Sequence, residues 1–103
     1  MCNLIPEKLL NKFDELSILP IEEWSEKNLH WLVAIKANKK KTKNGKPYFL
    51  IEAIGSNGEK HRIFCWGTGY DAVLPDYSLC VVELDKSDFG FSTNWRKIKI
   101  FEV

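Results

Sequence analysis

The sequence predicts an all-β fold: a five-stranded Greek-key barrel preceded by a short helical N-terminal extension. Three observations carry the prediction. From His30 onward, apolar and polar residues alternate with period two in several short runs. The runs are separated by Asn44-Gly45 and by Gly55-Ser56-Asn57-Gly58, turn-forming strings that join antiparallel neighbours. Five strands laid flat would leave long apolar edges open to other chains, and closing the sheet removes most of that exposure. At 103 residues, the chain is long enough for one domain with a single modest core. Residues 1–27 are expected to form an acidic helical extension and residues 28–103 the barrel.

Residues 6–16 read as a helix, since Pro6 suits a first turn and Leu9, Leu10, Phe13 and Leu16 fall at helical spacing. Pro20 opens a second helical turn over Ile21–Glu26. The first strand is His30 to Asn38, with Trp31, Val33, Ile35 and Ala37 on one face. A lysine-rich loop follows. Tyr48 to Ile54 is the second strand, with Phe49, Ile51 and Ala53 on one face and Tyr48, Leu50 and Glu52 on the other. Lys60 to Trp66 is the third, and together these make an antiparallel meander. Tyr70 to Leu74 fits one helical turn before Pro75. Ser78 to Leu84 is the fourth strand, Asp85 to Thr93 a loop, and Trp95 to Val103 the fifth strand.

The net charge is only +1, but its distribution is uneven. Residues 1–27 hold six acids against three lysines, whereas residues 28–66 hold eight bases against Glu52 and Glu59. Lys36, Lys39, Lys40, Lys41, Lys43 and Lys46 fall within eleven residues that contain no acid. Such a run contributes nothing to a core. It is either solvated or meets an anion.

Other classes are set aside on composition. No apolar run reaches the roughly 18 residues of a membrane helix, and Asn3, Pro6 and Glu7 interrupt what would be a signal peptide. Cys2, Cys65 and Cys80 are odd in number and widely spaced, which argues against a disulfide framework or a zinc site. A cytoplasmic location, no membrane partner, no metal and no cofactor are expected. His30 and His61 lie in strands, and no nucleophile elbow, phosphate-cradling glycine loop or HExxH string is present, so no enzyme activity is expected.

The stretch Lys41-Thr42-Lys43-Asn44-Gly45-Lys46-Pro47-Tyr48-Phe49-Leu50-Ile51-Glu52 resembles the first hairpin of OB-fold nucleic-acid-binding domains. The likeness is greatest to the OB domain of the replicative DNA polymerase III alpha chain. Gly58 stands at the matching distance, and Phe89-Gly90-Phe91 through Val103 is similar to the loop and closing strand of such a barrel. The resemblance covers residues 29–103 and leaves the acidic extension outside it.

It implies a binding platform on strands two and three, flanked by the loops joining strands one to two and four to five. A single nucleic-acid strand needs cations along its phosphates and aromatic faces for its bases. The first loop supplies Lys39, Lys40, Lys41, Lys43 and Lys46, with Lys36 just before it. Strands two and three supply Tyr48, Arg62, Phe64 and Trp66, provided that Phe49, Ile51, Ile63 and Cys65 face inward. A one-residue slip would turn Phe64 into the core. The later loop adds Phe89 and Phe91, and strand five adds Trp95, Arg96, Lys97 and Lys99. The expected function is weakly sequence-selective binding of single-stranded DNA in replication, recombination or repair, with RNA as an alternative ligand. A second alternative is a protein-interaction module whose acidic N-terminal segment docks on a replication partner.

Overall fold

The computed structural model describes residues 7–69, 71–88 and 90–101. Helix α1 (Glu7–Glu15) is followed by a two-residue strand β1 (Leu19–Pro20) and a 3-10 turn (Ile21–Glu23). The main strands are β2 (Leu29–Lys41), β3 (Pro47–Ile54), β4 (Lys60–Trp66) and β5 (Ser78–Glu83). They are followed by β6 (Asp85–Ser87), β7 (Gly90–Asn94) and β8 (Ile98–Phe101).

The fold is mostly β and barrel-like. β2, β3 and β4 form the expected antiparallel meander. β5 lies antiparallel on the other side of β2, and β7 lies parallel to β4. The order across the sheet is β6-β7-β4-β3-β2-β5-β8. β5 and β6 stand toward opposite flanks of that order, yet only Leu84 separates them in the chain. The sheet therefore curls back on itself at this point, where the Thr93 hydroxyl donates to the Glu83 carbonyl at 2.8 Å.

Curling gives the sheet an inside and an outside, and both are buried at one end. Leu32, Ala34, Phe49, Ile51, Ala53, Ile63, Cys65, Cys80, Val82 and Phe91 pack inside. Ile21 and Leu84 join them, so the 3-10 turn plugs the interior. Outside, Phe13 and Ile18 cover Trp31, Val33, Ile54, Leu79 and Val81. Burying Phe13 and Ile18 contributes roughly 1.5–3 kcal/mol each. The extension is thus built into the fold. β1 pairs parallel with His30 and Trp31, and Trp24 Nε1–H donates to the Leu84 carbonyl at 3.0 Å. The fully buried His30 accepts the Ser25 N–H at Nε2, 3.0 Å, which leaves Nδ1–H for the Leu19 carbonyl at 3.2 Å. That histidine is a satisfied structural residue.

Four expectations are corrected. The first strand does not stop at Asn38: β2 runs to Lys41, and the loop shrinks to a turn closed by Thr42 N–H to Lys46 O and Gly45 N–H to Thr42 O. Lys39, Lys40 and Lys41 are exposed there, so charge at the far end of the strand costs the core nothing. No helical turn is present among the described residues between β4 and β5. The supposed loop 85–93 is mostly the β6–β7 hairpin, in which Phe91 and Thr93 alternate inward. Trp95–Lys97 is a 3-10 turn capped by the Asn94 side chain, so the last strand is only Ile98–Phe101 and pairs with β5. The segment that closes the curl against β4 is therefore β7, not the region beginning at Trp95.

Candidate functional site

In antiparallel pairs, directly opposed residues share a face of the sheet. Phe49 opposes Cys65 and Ile51 opposes Ile63, and all four are buried inside. The intervening residues of β3 and β4 must face out, which fixes Tyr48, Phe64 and Trp66 on the outer surface. Their rings form one group. Tyr48 lies 4.8 Å from Trp66 and 6.3 Å from Phe64, while Phe64 and Trp66 are stacked at 6.3 Å with an interplanar angle of 11°. Trp66 is 40% exposed and Tyr48 and Phe64 are half-buried, so part of this aromatic group is open to solvent.

The lysines enter through β2. Its register shifts between Ala34 and Lys36, with Ile35 as the extra residue. A bulge of this kind changes which residues face out. Beyond it, Lys36 opposes Glu52, Asn38 opposes Leu50 and Lys40 opposes Tyr48. Lys36 and Lys40 therefore stand in the same rows as Arg62 and the rings. On the other side, parallel pairing aligns Phe64 with Ser92 and Trp66 with Asn94.

Three adjoining depressions cross this surface. One of about 270 Å³ is lined by Lys39, Lys40, Lys41, Pro47, Tyr48, Thr68 and Gly69. A second, of about 520 Å³, shares Pro47 and Gly69 with it and adds Lys46, Trp66, Gly67 and Asn94. A third, of about 330 Å³, lies against Phe64, Trp66, Ser87 and Ser92. Together they make a shallow track from the lysine hairpin, past the rings, to the β6–β7 hairpin.

The structure thus brings together Lys36, Lys46, Tyr48, Arg62, Phe64 and Trp66, with Lys39 and Lys41 on the adjoining hairpin and Lys43 in its turn. It separates the others. Phe91 is not in an exposed loop; it is buried inside, 6.0 Å from Trp24 and 5.9 Å from His61. Trp95 is half-buried and packs against the inner core, its ring 5.5 Å from that of Phe49. Arg96 and Lys97 are exposed in the turn after Asn94, and Lys97 pairs with Glu83 at 3.7 Å. Lys99 lies over the Phe101 ring on β8, at the opposite flank of the sheet. Phe89 lies outside the described residues.

Sequence reasoning missed Ser92, which sits on a strand read as loop, and Asn94, which fell between that loop and the expected fifth strand. It placed Lys40 only in the loop, because the expected first strand ended at Asn38, where the apolar alternation gives way to lysines. Leu50 was legible from its alternation with Phe49 and Ile51.

The thiols take no part in the surface. Burial pushes both Cys65 and Cys80 up to about 12, with their mutual proximity adding to the effect at Cys80, so neither is a nucleophile at neutral pH. Among the described residues, no group of His, Cys, Asp and Glu side chains gathers as a metal site. Likewise, no helix is long and apolar enough to cross a membrane. Compared with family models, curated proteins and solved structures, the chain matches none.

Proposed function

We propose that this chain is an OB-fold module that binds single-stranded DNA with weak sequence selectivity, in replication, recombination or repair. The observation that carries the reading is the shared surface of Tyr48, Phe64 and Trp66, with Lys40 directly across from Tyr48 and Lys36 on the same face in the row of Glu52 and Arg62. The strand pairing supports the fold assignment: a three-stranded meander, a fourth strand beside the first, and a closing strand parallel to the third.

The mechanism is binding without chemistry. Bases stack on the open parts of this ring group, Trp66 first, each stacked base contributing roughly 1–3 kcal/mol. The lysines neutralise phosphates and release condensed counterions, so affinity falls with salt. About four neutralised phosphates correspond to a log–log slope near −3 for a single strand. Every base has a flat face, so stacking alone selects little.

The test is a titration of labelled single-stranded DNA, single-stranded RNA and duplex DNA at two salt concentrations, followed by intrinsic tryptophan fluorescence. Quenching by single-stranded DNA and a steep loss of affinity with salt are expected. Substituting Lys41, Lys43 and Lys46 by Ala should weaken binding while leaving the fold intact. Equal affinity at both salt concentrations, or no binding at micromolar protein, would refute the proposal. Tighter binding of RNA than DNA would move the module to the RNA-binding reading.

A further inference from the structure

The face that carries the rings also carries an acid. Among the outward residues of β2, β3 and β4 on this face, from Lys36 to Trp66, Glu52 is the one carboxylate. It is exposed, and it opposes Lys36 on one side and Arg62 on the other. It forms no ion pair or hydrogen bond with either. Leu50 opposes Phe64 in the next row, so Glu52 stands diagonal to the Phe64 ring, about 7–8 Å away by the spacing of such pairs.

A carboxylate on a surface that binds a polyanion repels the phosphates. Glu52 therefore keeps the backbone of a bound strand toward Lys40 and Lys46, at the other end of the ring group. What approaches Glu52 is then the edge of a base. An ionised carboxylate is an acceptor at both oxygens, so its selectivity does not depend on which way the group is turned. The Watson–Crick edge of an unpaired base is open to such a contact. Guanine presents N1–H and N2–H side by side, one for each oxygen. In cytosine and adenine the amino donor lies beside a ring nitrogen that accepts, and the N3–H of thymine lies between two carbonyl oxygens. With any of these three, the second carboxylate oxygen would face a lone pair.

We propose that Glu52 makes one position of this surface prefer guanine. A base lying over Phe64 turns its Watson–Crick edge to the carboxylate, and N1–H and N2–H donate to its two oxygens. Lys36 and Arg62 balance the charge of Glu52 within the row. This inference rests on the single-strand-binding reading above, and adds one selective position to an otherwise tolerant surface.

The experiment uses the full chain and oligothymidines of about nine nucleotides carrying one central dG, dC, dA or dT. The dG oligomer should bind about 5- to 10-fold more tightly than the other three, the low end for a bidentate base contact. Deoxyinosine, which lacks the N2 amino group, should lose most of that gain, and 7-deazaguanine, which retains both donors, should keep it. Glu52→Gln should act in two directions. The spread among the four oligomers should fall below about twofold. The affinity for plain oligothymidine should rise about twofold, because an exposed repulsion is removed. A purely structural role would instead lower the thermal midpoint and all four affinities together, and would overturn the proposal. Four equal affinities in the unaltered chain would overturn the role of Glu52 while leaving the interface standing. A guanine gain that survives Glu52→Gln or deoxyinosine would overturn it as well. Failure of every oligomer to bind would overturn the interface reading and this inference with it.

Discussion

The two halves of β2 meet opposite physical demands. From His30 to Ala34 every residue is buried, with Leu32 and Ala34 inside the curl and Trp31 and Val33 beneath α1. From Lys36 to Lys41 every residue is half-buried or exposed, and four of the six are lysines. The bulge at Ile35 separates them. His30 and Lys40 are ten residues apart, roughly 33 Å along an extended strand. That reach accounts for much of the molecule's 42 Å long axis. One continuous strand thus anchors the fold at one end and carries charge into solvent at the other. The near half holds the stability, so the far half is free to concentrate cations that a core would not tolerate.

The largest expected effect lies at the near half. Phe13 is 2% exposed, 6.4 Å from Trp31 and 5.7 Å from Phe101. Phe13→Ala should cost about 3–5 kcal/mol of stability, read by urea unfolding, while the molecules that remain folded keep their affinity for a single strand. A loss of affinity in the folded population would mean that the two halves are not separable.

Trp66→Ala should show the reverse. It is expected to cost about 1–3 kcal/mol of single-strand affinity by titration. The stability cost should be about 1 kcal/mol or less, since only its cross-strand packing against Tyr48 and its contact with Phe64 on the same strand are lost. A change confined to stability would make the rings structural.

A smaller effect separates the lysines by position. Lys40→Ala should reduce the magnitude of the log–log salt slope by about 0.7, one phosphate's share, whereas Lys12→Ala on α1 should leave it unchanged. Equal effects from the two would reduce the hairpin to diffuse charge.

The smallest effect concerns how the extension is held. Partial burial pushes the Glu22 carboxyl up. Hydrogen bonds from the Ser56 hydroxyl and from backbone N–H groups, including those of Ser56 and Asn57, outweigh it and leave the group below its ordinary value of 4.5. A carboxyl lowered on folding stabilises the folded state above the unfolded value and loses that contribution as pH falls through the folded value. The thermal midpoint should therefore drop below about pH 4.5, and drop less in Glu22→Gln. Parallel profiles for the two proteins would show that this contact does not hold the extension.

Much of the near half, and the faces of β3 and β4, were legible in the sequence. Alternation of Phe49, Ile51, Ile63 and Cys65 against Tyr48, Leu50, Phe64 and Trp66 has a local cause, the pleat, and survives into the fold. What could not be read has non-local causes. The bulge at Ile35 depends on how β2 meets β3 and β5. The β6–β7 hairpin was masked by Asp88 and Gly90, residues that usually mark loops. The pairing of β7 with β4 is parallel, and no turn in the sequence announces it. Asn94 was therefore unreadable as part of the surface: its place beside Trp66 exists only once β7 lies along β4.

The separation of the two halves is tested most directly by backbone amide chemical shifts of the full chain titrated with a short oligothymidine. Shifts should concentrate over residues 36–48, 62–66 and 92–94, with residues 13–33 and 79–82 unmoved. Shifts centred on α1 and the near half of β2, or none at saturating oligomer, would contradict the assignment of binding to the far half.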